Sequence, residues 1–257
     1  ALEEYRFNDA AGALYTHVWG VFCDWYLEFS KPLLSGADEA AKAETRATFA
    51  WARDQLLIML HPIMPFITSE LWDHMGADRD GPLMLSCWPE LDESLIDAAA
   101  SAEMDWVVRL ITSVRAVRSE MNVPPGATIP LSLKGASAES LARLERHGDL
   151  IRRLARLESA AALEGDVPAG SVQQILDEAT IVLPIADVID IAAEKARLEK
   201  EIAKLDSDIM KHDKKLANPG FVDKAPEAVV ETERERRSEA AATRDKLAEA
   251  LDRLAAL

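Results

Sequence analysis

The sequence predicts a mainly α fold: a helical bundle, then a small α+β junction unit, then a C-terminal antiparallel coiled-coil hairpin. Three observations predict it. Apolar residues recur at three- and four-residue steps through most of the first 121 positions. The pattern turns to alternation at "NVPPGATIPLSL". From about Val188 a heptad takes over and continues on both sides of "LANPGFVDKAPEAVVE". The expected division is 1–122, 123–187 and 188–257.

Residues 3–34 read as one or two helices, with Tyr5, Ala10, Leu14, His17, Val18, Val21, Trp25 and Phe29 at helical spacing. "SKPLLSG" closes that segment, with Pro32 and Gly36 as breakers. Residues 38–60 form a second long helix. In "HPIMPFITSELW", Pro62 and Pro65 each remove a backbone donor and should kink the helix, which resumes through Phe66, Ile67, Glu70, Leu71 and Trp72. "GADRDGPLM" reads as a loop and "SCWPELDESLID" as an irregular return. Residues 98–121 form a helix whose apolar stripe is Val107, Leu110, Ile111, Val114 and Val117, with Arg109, Arg115 and Arg118 elsewhere on the wheel. Pro124, Pro125 and Gly126 end it. "TIPLSL" alternates as a strand, residues 138–158 form one or two short arginine-rich helices, and "SVQQILDEATIVLPI" reads as two strands around a tight "DEA" turn.

The heptad seam runs through Ile191, Leu198, Ile202, Leu205, Ile209, His212 and Leu216. It returns through Val230, Glu233, Arg237, Ala240, Arg244, Leu247, Leu251 and Leu254. Such a seam without the bulk for a globular core argues a coiled coil, and the short connection makes the helices antiparallel. Pro226 suits the first turn of the returning helix, where its missing N–H costs nothing. Each arm of roughly 27 residues is about 40 Å long. Two helices alone bury little area, so the hairpin needs a docking surface or a partner.

Composition bounds the function. At 257 residues and 49% hydrophobic, the chain can build more than one core. Two cysteines, Cys23 and Cys87, far apart, exclude a disulfide framework, and the scattered His and Cys residues assemble no zinc ligand set. No apolar run reaches the roughly 20 residues of a membrane span. The start lacks a Met and a capping sequence, which suggests a segment cut from a longer protein. The net charge of −16 argues against nucleic acid, but it is unevenly spread. Residues 1–100 carry 6 basic and 17 acidic side chains, residues 101–190 carry 9 and 13, and residues 191–257 carry 14 and 15. A basic face is possible in the last third and not over most of the first.

Each candidate site has a bland reading beside the functional one. Asp24, Glu28 and Lys31 share a helical face, either as a polar recognition strip with Trp25 and Tyr26 available for stacking, or as ion pairing beside core aromatics. His61 is either a base or nucleic-acid contact, or a partner for carbonyls freed by Pro62 and Pro65. Arg143, Arg146, Arg152, Arg153 and Arg156 either bind phosphate or form a solvated face broken by Glu145 and Asp149. The cations around the tip, Lys211, Lys214, Lys215, Lys224, Arg234, Arg236 and Arg237, are interleaved with acids as heptad flanks commonly are. No nucleophile elbow, P-loop, dinucleotide fingerprint or paired-carboxylate motif occurs, so catalysis is not expected.

Several stretches together carry a resemblance. "YRFNDAAGALYTHVWGVFCDWYLEFSKPLL" followed by "HPIMPFITSELW" resembles the anticodon-binding bundle of class I aminoacyl-tRNA synthetases of the valyl, isoleucyl and leucyl group. "ITSVRAVRSEMNVPPGATIPL" is similar to the valyl branch after that bundle. "LEKEIAKLDSDIMKHDKKLANPGFVDKAPEAVVETERER" resembles the valyl branch's C-terminal coiled-coil arm. The isoleucyl family ends in a zinc-binding segment and the leucyl family in a different small domain.

The resemblance implies that the parent enzyme charges valine tRNA using ATP and Mg. The family's HIGH and KMSKS signatures and its editing domain do not occur here, so this chain is expected to bind valine tRNA without catalysis and to hold no cofactor. The bundle would face the anticodon and the arm would lie along the outer corner of the tRNA. The family's earlier bundle helix, with an Asn-Lys-x-Trp-Asn-like run, does not occur in the chain, so weak anticodon discrimination is expected. The contacts implied on the arm are Lys211, Lys214, Lys215, Lys224, Arg234, Arg236 and Arg237. Arg6, Asn8, Trp25, Lys31, Arg152 and Arg153 are the candidates on the bundle and junction. A cytoplasmic monomer that binds neither DNA nor membrane is expected. The rival class is a scaffold whose hairpin binds another protein, but its tip should then be apolar and self-complementary. The same region of an isoleucyl- or leucyl-tRNA synthetase is the other alternative.

Overall fold

The computed structural model describes residues 1–76 and 81–255. They fall into two compact units, Ala1–Ala102 and Glu103–Leu257. The loop expected at "GADRDGPLM" lies outside the described residues at 77–80.

The first unit is helical. Helix α1 (Phe7–His17) passes without a break into a stretch of wide π-type turns, Val18–Tyr26, and then into α2 (Leu27–Ser35). Nine residues of π-type helix far exceed the single-turn bulge that is usual. A 3.6-residue template does not register such a stretch, which is why a plain helix is expected here. Pro32, expected as a breaker, sits inside α2, and Gly36 alone ends it. The lost proline donor is local, and the hydroxyls of Ser30 and Ser35 bond the carbonyls of Tyr26 and Lys31 one turn back.

Helix α3 (Glu39–Leu60) opens at Asp38, whose carboxylate accepts from the Ala40 and Ala41 amides at 2.9 and 3.1 Å. The proline pair does not kink it as expected. The chain stops at Leu60 and restarts as α4 (Pro65–Met75), with Pro65 in the first turn where its missing N–H is harmless. Leu57, Trp72 and Leu83 form a small core with Ile58 and Leu71 beside it.

The second unit is built on α5 (Ala98–Glu120) and a four-stranded sheet. The strands are β1 (Ile129–Lys134), β2 (Leu157–Ala162), β3 (Ser171–Leu176) and β4 (Ala179–Pro184), in the order β2-β1-β4-β3. β1 pairs parallel with β2 and antiparallel with β4, and β3 pairs antiparallel with β4. The crossover between β1 and β2 carries α6 (Ala138–Arg146) and α7 (Gly148–Ala155). The predicted strands at 128–133 and around "DEA" form, and Asp177 takes the left-handed φ of 53° that the tight turn needs. β2 is not foreseen: "LESAAA" carries no β-branched or aromatic residue, and pairing to β1 supplies what propensity does not.

The predicted α5 stripe is buried throughout, with Val107, Leu110, Ile111 and Val114 fully enclosed. Arg118 departs from expectation, since it is 7% exposed rather than on an outward face. Its guanidinium donates to the carbonyls of Ala127 at 2.7 Å, Pro124 at 3.2 Å and Arg156 at 3.3 Å. The arginine thereby clamps the "NVPPGA" turn that ends its own helix.

The hairpin follows as α8 (Ile191–Leu216), a one-turn helix α9 (Pro219–Val222) and α10 (Glu227–Ala255). Leu198, Val230, Ala250 and Leu254 are buried, and the remaining apolar seam residues from Ile202 to Leu251 are half-buried. The expected docking surface is the end of α5. Arg253 reaches Glu120 at 2.6 Å, and Asn122, left-handed at φ 50°, donates to Glu194 at 3.3 Å. At about 1.5 Å per residue, α8 and α10 are roughly 39 and 44 Å long.

Candidate nucleic-acid interface

The tip is assembled from local rules. Asn218 caps α9 by accepting from the Gly220 amide at 2.9 Å, and Pro219 fills the first helical position. Pro226 precedes α10 and its carbonyl takes the Val229 and Val230 amides. Phe221 is half-buried, with the Lys215 ammonium 4.8 Å above its ring.

The seven arm cations are not equivalent. Lys215 also donates to Glu233 at 2.9 Å, so it is spent on the seam. Lys211 pairs with Asp208 at 2.7 Å, Arg234 with Glu231 at 3.2 Å, and Arg237 with Asp213 across the hairpin at 3.0 Å. The Lys215 and His212 bonds hold the Glu233 carboxyl below the ordinary carboxylate range, and the Lys211 bond does the same for Asp208. Lys214, Lys224 and Arg236 are exposed and make no hydrogen bond or ion pair among the described residues. These three can meet a phosphate without giving up an internal partner.

In the first unit, the sequence candidates are held locally. Arg6 pairs with Glu4 at 2.7 Å and Asp9 at 3.4 Å, and Asn8 donates to Asp9 at 2.8 Å. Lys31 is ion-paired with Glu28. Trp25 is half-buried and tilted against Phe29 with centroids 5.6 Å apart, while Tyr26 stacks on Phe22. His61 does not bond freed carbonyls directly. Its Nδ1 lies 2.9 Å from the Thr68 hydroxyl, which in turn donates to the Met64 carbonyl at 2.8 Å. The exposed aromatics are others: Tyr15 and Trp19 flank an apolar groove of about 530 Å³ with Val18, Leu60, Ile63 and Met64. Spacing alone could not reveal that groove, because its two walls come from distant stretches of the chain.

In the second unit, Arg143 and Arg146 are spent on Glu139 and Glu103, and Arg152 pairs with the exposed Asp149. Arg153 makes no pair among the described residues. Arg156 belongs to the arginine cluster read from the sequence, though not to the contacts the resemblance implies. It donates to the Pro125 carbonyl at 2.6 Å and lies beside Arg152 and Arg153 around a cavity of about 430 Å³.

A helical unit, an α+β unit whose "NVPPGA" turn is held by Arg118, and a docked hairpin with exposed cations make up the described residues. Residues 1–133, over half the chain, match the family described as the anticodon-binding domain of tRNA ligase, and the chain belongs to that family. Residues 190–255 match the valyl tRNA synthetase tRNA binding arm. The chain is 53% identical over 261 residues to a valine–tRNA ligase of Caulobacter vibrioides, covering all of this chain and 29% of that protein. It is 47% identical over 287 residues to that of Bradyrhizobium diazoefficiens, covering 99% and 30%. With that of Agrobacterium fabrum it shares 50% over 243 residues, covering 93% and 25%. The chain thus spans less than a third of the length of these relatives.

Proposed function

We propose that this chain is the tRNA-binding C-terminal region of a valine–tRNA ligase, holding valine tRNA at its anticodon side and outer corner for a catalytic part elsewhere in the parent. The chain binds and positions, and the ATP- and Mg-dependent chemistry belongs to that other part. The functional division follows the sequence reading: 1–122 faces the anticodon, 123–187 joins, and 188–257 grips the corner. A cytoplasmic monomer suits this role, and no helix among the described residues is long and apolar enough to cross a membrane.

The observation that carries the reading is the arm. Its family match coincides with the α8–α10 hairpin, and that hairpin holds Lys214, Lys224 and Arg236 exposed and without partners among the described residues, in a chain of net charge −16. Exposed cations without internal partners are available to an external anion. Titration of the chain with valine, isoleucine and unrelated tRNAs at several salt concentrations tests it. K214E/R236E should weaken binding of valine tRNA and make its salt slope shallower by about 1 for each phosphate no longer neutralised. Equal binding at every salt concentration would contradict the role of the arm.

A further inference from the structure

A second positive centre lies outside the arm, where α5, α7 and the "NVPPGA" turn meet. Arg118 is 7% exposed and its guanidinium is met by three backbone carbonyls, with no carboxylate partner among the described residues. Dipoles satisfy its hydrogen bonds but leave its charge uncompensated. Burial, and next the neighbouring Arg156, push its pKa down, which registers the same excess of positive charge.

Arg156 sits over this centre at φ 54°, the left-handed position after α7 that glycine ordinarily fills. Any Cβ is disfavoured there by its approach to the backbone carbonyl. The Arg156 guanidinium reaches the Pro125 carbonyl at 2.6 Å, another neutral partner. Arg153, on the preceding turn, has no partner among the described residues, and Arg152 has only the exposed Asp149. Arg152, Arg153 and Arg156 line a cavity of about 430 Å³ with Gly126 and Thr128, and Glu158 is the single acid in its lining. Gly126 has open space around it, so its backbone can be approached closely.

We propose that Arg152, Arg153 and Arg156, over the turn 126–128, form a seat for a backbone phosphate of the bound tRNA, separate from the arm. The proposal rests on the tRNA-binding reading above and adds a second point of attachment. Guanidinium forks suit phosphate oxygens. The buried Arg118 cation raises the local potential without being spent on the ligand. A single phosphate contact positions the nucleic acid but reads no base.

The test uses the whole chain. R152E/R153E changes two exposed side chains and should leave the thermal melt within the range of surface substitutions. Affinity for valine tRNA should fall at least tenfold at low salt, and the salt slope should become shallower by about 1. Ethylation interference should vanish at one discrete phosphate position in this variant, a different position from the one that vanishes in K214E/R236E. R152E/R153E with unchanged affinity and slope, while K214E/R236E weakens binding, overturns the phosphate seat and leaves the tRNA-binding reading standing. A wild-type chain that binds no tRNA overturns both. A poly-glutamate peptide that displaces tRNA from wild type but not from R152E/R153E overturns the assignment to phosphate and favours an acidic protein partner.

Discussion

His212 Nδ1 and Glu233 Oε1 lie 2.8 Å apart across the arm, in a layer where a heptad seam ordinarily places two apolar side chains. Lys215 completes the layer by donating to the other Glu233 oxygen at 2.9 Å. Glu233 is 6% exposed, so its charge is acceptable only because both partners are present. A polar layer of this kind fixes register, since a slip by one turn would leave a carboxylate against apolar seam residues.

E233A should therefore lower the arm's melting temperature more than the double change H212L/E233L, which replaces the polar pair with a conventional seam layer. Far-UV circular dichroism of the two variants decides it. An E233A melt that matches wild type would remove the seam role. Acid should act like E233A. The Glu233 carboxyl is held below its ordinary 4.5, so its contribution is complete above that value and fades as pH falls through the lowered one.

A similar carboxylate holds the start of α6. Glu178, in the β3–β4 turn, accepts from the Ser140 hydroxyl at 2.7 Å and the Ser137 amide at 3.0 Å, and its pKa is lowered from 4.5 to about 2. The folded value is the lower one, so the stabilisation exists above about 4.5 and disappears between there and about 2. Acid titration of E178Q should show a flatter stability profile than wild type across that window, with the two converging at its acid end. Parallel profiles would exclude Glu178 as a source of acid sensitivity.

The arm was legible because a heptad is a long, redundant signal, in which His212 and Glu233 stand out only as polar residues at seam positions. The α5 stripe was legible for the same reason. What escaped depends on pairings distant in sequence. β2 exists because β1 pairs with it, and nothing in "LESAAA" announces a strand. Arg118 reads as an outward cation on a helical wheel, because its carbonyl partners belong to the turn and to residue 156. The tip cations were legible as a group, but only their geometry separates Lys215, spent on Glu233 and Phe221, from Lys214, which is free among the described residues.

The base of the arm gives a prediction about coupling between stability and binding. Leu198 is fully enclosed, one helical turn beyond Glu194, which accepts from Asn122 at the end of α5. L198A should cost about 2–5 kcal/mol as a large-to-small core change. No cation is touched, so any fall in tRNA affinity would come from an arm no longer held at its base. A variant with a lowered melt but unchanged tRNA affinity would show that arm docking and tRNA binding are independent.

Arg118 makes the most demanding case, because its clamp and its charge can be separated. R118M keeps the buried stem but leaves the carbonyls of Pro124, Ala127 and Arg156 without their donor. Unsatisfied buried carbonyls cost about 1–3 kcal/mol each, so a net loss on the order of 2–3 kcal/mol is expected after water reaches some of them. R118K retains the cation but not the fork, and an ammonium cannot span three carbonyls fixed at these positions. The lysine variant should therefore lose nearly as much stability as the methionine variant. Equal melts for R118K and wild type would mean that charge, rather than the fork of hydrogen bonds, holds the "NVPPGA" turn against α7.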